Sequence, residues 1–192
     1  MKHTWNLPLA LFLGFIMPAG MLFGYKRTLP RVSSPTANWA DTQEAGHLFR
    51  QIRDQALKAQ KTLGTLNVEG IYLNWQDQAQ SLNIARSYIN KIGADLLRLK
   101  RMNKGLAPWQ QRVVAQMTPA AHEMVYQMDQ AVKEINRHQN SVVLAMTPYP
   151  QNINIIGQQA GRMVRTIQTY SQYAHAEERL AALQRKTATS RS

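Results

Sequence analysis

Four stretches of this chain place apolar residues at alternating spacings of three and four, the pattern of helices that bury one face against each other. The first, over residues 41–63, puts Ala45, Leu48, Ile52, Ala56, Ala59 and Leu63 on such a seam. The second, over 74–102, does the same with Trp75, Ala79, Leu82, Ala85, Ile89, Ile92, Leu96 and Leu99. The third, from 107 to 142, carries Val113, Met117, Ala121, Met124, Met128, Ala131, Ile135, His138 and Val142. The fourth, over 151–185, carries Ile153, Ile156, Ala160, Met163, Ile167, Tyr170 and Ala174. A period near 3.5 in four successive segments predicts an all-α fold with one shared core. Short connections make consecutive helices antiparallel neighbours, so the expected architecture is an up-down-up-down four-helix bundle over residues 39–186.

Local signals refine the boundaries. Asp41 and Glu44 sit in the first turn of the first helix, where the helix dipole favours acids. Asn74 is placed to cap the second helix, and Asn103, Lys104 and Gly105 end it. Pro108 suits the first turn of the third helix. Thr118 and Pro119 interrupt that helix, because proline lacks a backbone donor and clashes with the preceding turn; a kink or split at Pro119, with Thr118 as a new cap, is expected. Pro148, Tyr149 and Pro150 lead into the fourth helix. The first connection, 65–73, contains Leu66, Val68, Ile71 and Leu73 and is expected to cover one end of the core. Residues 187–192 read as a disordered tail, and no repeat of solenoid length occurs.

Ahead of the bundle, residues 7–24 form a run of 18 without a charge, preceded by Lys2 and followed by Lys26 and Arg27. As a helix it would span about 27 Å, close to the hydrocarbon thickness of a bilayer. Residues 1–27 therefore read as a signal peptide or an uncleaved membrane anchor. Cleavage after Gly20 or Gly24 would put Pro18 or Leu22 where a small residue is required, which favours the anchor. The flanking charges, Lys26, Arg27 and Arg31 against Lys2, point to a cytoplasmic domain by count. The layout, a short Lys-bearing start running directly into the apolar stretch, is that of an export signal. The expectation adopted follows the layout: a membrane-anchored or secreted protein with its domain on the extracytoplasmic, periplasmic side. Residues 28–38, with two Pro and several Ser and Thr, form a linker.

The formal charge is +12, from 23 Lys and Arg against 11 Asp and Glu. Lys2, Lys26, Arg27 and Arg31 precede the domain, which leaves it 19 basic and 11 acidic residues, a charge of +8. Such a surface favours anionic partners. In an up-and-down bundle the start of the first helix, the second-to-third turn and the end of the fourth helix share one end. That topology gathers Lys26, Arg27, Arg31, Trp39, Arg98, Lys100, Arg101, Lys104, Trp109, Arg185 and Lys186 into a candidate membrane-surface site. A basic residue near an anionic bilayer gains about 1 kcal/mol, and tryptophan prefers the interface. The plainer reading of the same residues is that cations complement helix C-termini and tryptophan closes the core. Nucleic acid is disfavoured as a partner, because the basic residues are spread over several helices and terminal turns.

Candidate chemistry is sparse. The absence of cysteine excludes disulfides, thiolate metal sites, c-type haem attachment and Cys nucleophiles. Glu44 and His47 form one half of a di-metal pattern whose other ligands are missing, and the seam through Ala45 and Leu48 turns them outward. His138 with Met124, Met128 and Met163 suggests b-type haem, but methionine at seam positions is an ordinary core filler. His122 and Glu123 lack the second His of a zincin, and His175 with Glu178 is a common helix-surface spacing. Ser81, Ser141 and Ser171 have no assignable His and acid partners. Gly157 and Gly161, four apart in a helix, form a small face for close packing rather than a phosphate loop. No catalytic residue, metal or cofactor is therefore expected. The role expected is a non-enzymatic interaction or scaffolding bundle at the membrane surface, able to bind another helical protein or a second copy. The alternative is a sensory or small-ligand-binding bundle, for which an enclosed apolar pocket beside Pro119 would speak and a solid core there would not.

Ala107, Pro108, Trp109, Gln110 and Gln111, followed by a Pro-interrupted helix and then by Ser171, Gln172, Tyr173 and Ala174, resemble a set of exported helical proteins of soil bacteria. The resemblance covers the second half of the domain. It implies an exported bundle and carries no activity with it.

Overall fold

The computed structural model describes residues 39–189, with side chains described between 42 and 184 apart from 177, 178 and 181. The hydrophobic segment, the linker and the predicted site residues Lys26, Arg27 and Arg31 lie outside the described residues. Among the described residues every regular element is helical: α1 (Trp39–Glu69), α2 (Trp75–Arg101), a 3₁₀ turn (Asn103–Gly105), α3 (Pro108–Arg137), α4 (Ser141–Ala145) and α5 (Tyr149–Thr189). None of these helices is long and apolar enough to cross a membrane.

The predicted seams form the core. Leu48, Ile52 and Leu63 of α1, Ile89, Ile92 and Leu99 of α2, Met117, Met124 and Met128 of α3, and Ile156 and Met163 of α5 are all buried together. α1 packs on α2 and α5, and α3 packs on α5 and α2, with α2 against α3 the loosest of the four pairings. At Gly161 α1 and α5 come close: a Cβ there would stand 3.0 Å from Gln60 Nε2. Gly161 thus takes the packing role expected of the small face, whereas a Cβ at Gly157 would meet nothing within 4 Å, so Gly157 does not.

Helix ends follow their local signals in most places. Asn74 Oδ1 accepts the Asp77 backbone N–H at 2.8 Å and starts α2 as expected. Pro108 opens α3, and the Gln110 side-chain oxygen accepts the Ala107 N–H at 3.0 Å. α1 ends where the Gly70 N–H reaches the Leu66 carbonyl at 3.0 Å, and a Cβ at Gly70 would run into that carbonyl. The connection after it contributes less to the core than expected. Leu66 is buried and Leu73 partly so, but Val68 and Ile71 are exposed, because α1 continues through Glu69 and its turn carries residue 68 outward.

Three further expectations need correction. α3 is not split at Pro119: it runs continuously from Pro108 to Arg137. Pro119 and Ala115 face solvent, so the carbonyl that loses its helical donor is open to water. Thr118 caps nothing and instead donates its hydroxyl to the Val114 carbonyl at 2.8 Å, inside the helix. Nor does the third seam reach 142. His138 is the C-cap of α3, and Asn140 starts α4 by accepting the N–H groups of Val142 and Val143, which leaves Val142 exposed and puts Leu144 in the core. Finally, α5 extends to Thr189, so residues 187–189 of the expected tail are helical.

Candidate functional site

Three contacts bring the start of α1, the end of α2 and the start of α3 together. Arg98 Nη2 lies 2.9 Å from Glu44 Oε1. The buried Gln110 donates from Nε2 to the Thr42 carbonyl at 3.2 Å. The Trp109 and Phe49 rings stand 6.0 Å apart, tilted by 33°. This end carries Arg98, Lys100, Arg101 and Lys104, all exposed. Arg98 is held by Glu44, whereas Lys100, Arg101 and Lys104 have no ion pair among the described residues. Trp109 is half-buried against Phe49 and the core, the core-closing role that was the plainer reading of it. Trp39 opens α1, and Arg185 and Lys186 belong to the last turns of α5; their side chains lie outside the described residues.

A groove of about 510 Å³ runs from this end along the seam between α2 and α3. Its walls include Leu97, Val125 and Tyr126, which are 56%, 45% and 58% exposed, far more than large apolar side chains on a covered seam would be. Its floor is made by Gly93, Leu96 and Ala121. Small residues open the groove: a Cβ at Gly93 would meet nothing within 4 Å. Lys100 stands at one end, and at the other Asp129 lies 3.7 Å from Arg86. Thr118, next to Pro119, lines it as well. What lies beside Pro119 is thus an apolar groove open along its length, above the buried side chains of Met117, Ala121 and Met124.

Few ionisable groups of the bundle are paired among the described residues. Burial pushes the Asp95 carboxyl above its ordinary range, and the neighbouring charges of Arg98 and His47 partly oppose this. Glu44 is taken by Arg98, and His138 Nε2 lies 3.7 Å from Glu134 Oε2. Met124, Met128 and Met163 are spent on core packing. Among the described residues no three His, Asp or Glu side chains gather as metal ligands would. Sequence reasoning passed over Leu97, Val125 and Tyr126, whose only signal was that they flank the buried seams, and Asp95, whose signal was Arg98 three residues on. No protein-family model, curated protein or solved structure matches the chain.

Proposed function

We propose that this protein is a non-enzymatic interaction module presented at a membrane surface, its four long helices running up-down-up-down behind an N-terminal anchor or signal and its domain on the extracytoplasmic side. The observation that carries this reading is the set of three exposed cations without ion pairs, Lys100, Arg101 and Lys104, at the end of the bundle where α1 begins. In sequence the linker precedes α1. Three such charges near anionic lipid are worth about 3 kcal/mol together, enough to orient a tethered domain. The partner is an anionic lipid surface, with another helical protein or a second copy able to share it.

The chain contains no cysteine, so one introduced thiol carries one probe. An environment-sensitive fluorophore on Asn103→Cys in the full chain should shift to the blue in phosphatidylcholine vesicles containing phosphatidylglycerol and not in phosphatidylcholine alone. A probe on Gln139→Cys, in the turn at the opposite end, should not respond. Changing Lys100, Arg101 and Lys104 to Gln should remove the shift, as should high salt. Identical Asn103 spectra in the two lipid mixtures would end the membrane-surface reading. Beside Pro119 the molecule has an open groove over a solid core and not the enclosed pocket that the ligand-binding alternative called for, and the exposed apolar surface of that groove is what it offers a partner.

A further inference from the structure

We infer that the α2/α3 groove holds the chain of a single-chain anionic lipid, with the head at Lys100 and the hydrocarbon running toward Tyr126; the inference rests on the membrane-surface reading, which supplies the lipid. Leu97, Val125 and Tyr126 lie along one seam and stay largely exposed, so they form a contiguous apolar strip rather than scattered surface residues. The strip ends at Lys100, a cation without an ion pair among the described residues, whereas the acid at the far end, Asp129, already faces Arg86. One free charge at one end of an apolar trough complements an amphiphile, which has a single charged head on an apolar body.

The dimensions select among possible occupants. From Thr118 to Asp129 α3 rises about 16 Å, the length of an ordinary acyl chain. At about 510 Å³ the groove has the size of a small-molecule site. A helix with its side chains is about 10–12 Å across and would lie on this groove without entering it. A single hydrocarbon chain fits inside. A second copy of the bundle would instead bring its own Lys100, Arg101 and Lys104 into the neighbourhood of the first set.

The test uses the full chain in phosphatidylcholine nanodiscs and stearate carrying a nitroxide at mid-chain. A fluorophore on Ala94→Cys, exposed on the flank of α2 next in sequence to groove-lining Gly93, reports on the groove from its α2 rim. One on Arg50→Cys, exposed at about the same height on α1, reports on the other side of the bundle. Stearate should quench the Ala94 probe several-fold more than the Arg50 probe, and its uncharged methyl ester should not. Lys100→Gln should reduce the stearate effect to that of the ester. Gly93→Leu, whose Cβ would meet nothing within 4 Å, should block the groove and abolish it, with an unchanged melting temperature showing that the bundle still packs. Equal quenching at the two sites means partition into the bilayer alone and overturns the inference, as does quenching that survives Gly93→Leu. A shift of the Ala94 probe that grows with protein concentration in the absence of stearate would assign the groove to a second copy and also overturn it. The two readings fail separately: an Asn103 probe that responds to phosphatidylglycerol beside an Ala94 probe that ignores stearate removes only the groove assignment, and a silent Asn103 probe removes the membrane-surface reading itself.

Discussion

Two buried amides secure opposite ends of the core. Gln78 Nε2 lies 2.7 Å from the Gly70 carbonyl and 3.1 Å from that of Leu73, with Ser141 Oγ also 3.1 Å away. Gln110 spans from Ala107 to Thr42 at the basic end. Each uses a buried polar group to satisfy backbone carbonyls or donors that helix ends and turns leave without partners. Asp95 behaves differently, since burial disfavours its charged form and the attraction of Arg98 and His47 offsets that only in part. A carboxyl whose folded pKa is raised holds its proton longer in the folded state than in the unfolded chain. Stability therefore falls as pH rises from the ordinary aspartate value of 3.8 through the folded value, and the loss persists above it. Asp95→Asn, neutral at every pH, should melt at a higher temperature than the parent at neutral pH, and the difference should vanish as pH falls toward 3.8. Thermal denaturation across that range checks it; a lower melting temperature for the variant at neutral pH would contradict the sign.

At the scale of the helix, Pro119 does not split α3, one of the two outcomes the sequence led one to expect. Proline in a helix interior costs about 3 kcal/mol relative to alanine, part of which is returned because proline also restricts the unfolded chain. α3 tolerates it because the position faces solvent and buried Met117, Ala120, Ala121 and Met124 on the inner side anchor both halves. Pro119→Ala should therefore stabilise the protein by about 2 kcal/mol, read as a higher denaturant midpoint at unchanged slope. The seams, Asn74 and Pro108 were legible because each depends on spacing or on a local hydrogen bond. The end of α3 was not: the apolar period carries through His138 and Val142 by coincidence, while the Asn140 side chain restarts the helix between them. The groove was not legible either. Periodicity marks Leu97, Val125 and Tyr126 as neighbours of the core, but whether a partner helix covers them depends on how closely α2 and α3 approach, and Gly93 and Ala121 decide that only once the two helices face each other.

Across the whole molecule, the core stops well before the last helix does. Among the described side chains of α5 the last buried one is Ala174, and those described from 175 to 184 are exposed. The seam that runs through Met163, Ile167, Tyr170 and Ala174 continues in sequence to Glu177, Ala181 and Gln184, residues too polar or too small to extend an apolar core. From Ala174 to Thr189 α5 adds about 22 Å of helix at 1.5 Å per residue. Isolated helix of that length is marginal in water, so its persistence depends on the packed part of α5 and not the reverse. Removing residues 177–192 should accordingly cost the bundle less than about 1 kcal/mol, the range of changes at exposed surface. The truncated chain also lacks Arg185, Lys186 and Arg191. If Lys100, Arg101 and Lys104 carry the membrane contact, the Asn103 probe in this shortened protein should keep most of its response to phosphatidylglycerol. A loss of several kcal/mol in denaturation would mean that the distal part of α5 packs on the bundle. A lost Asn103 response at unchanged stability would move the lipid contact from the α2–α3 turn to the end of α5.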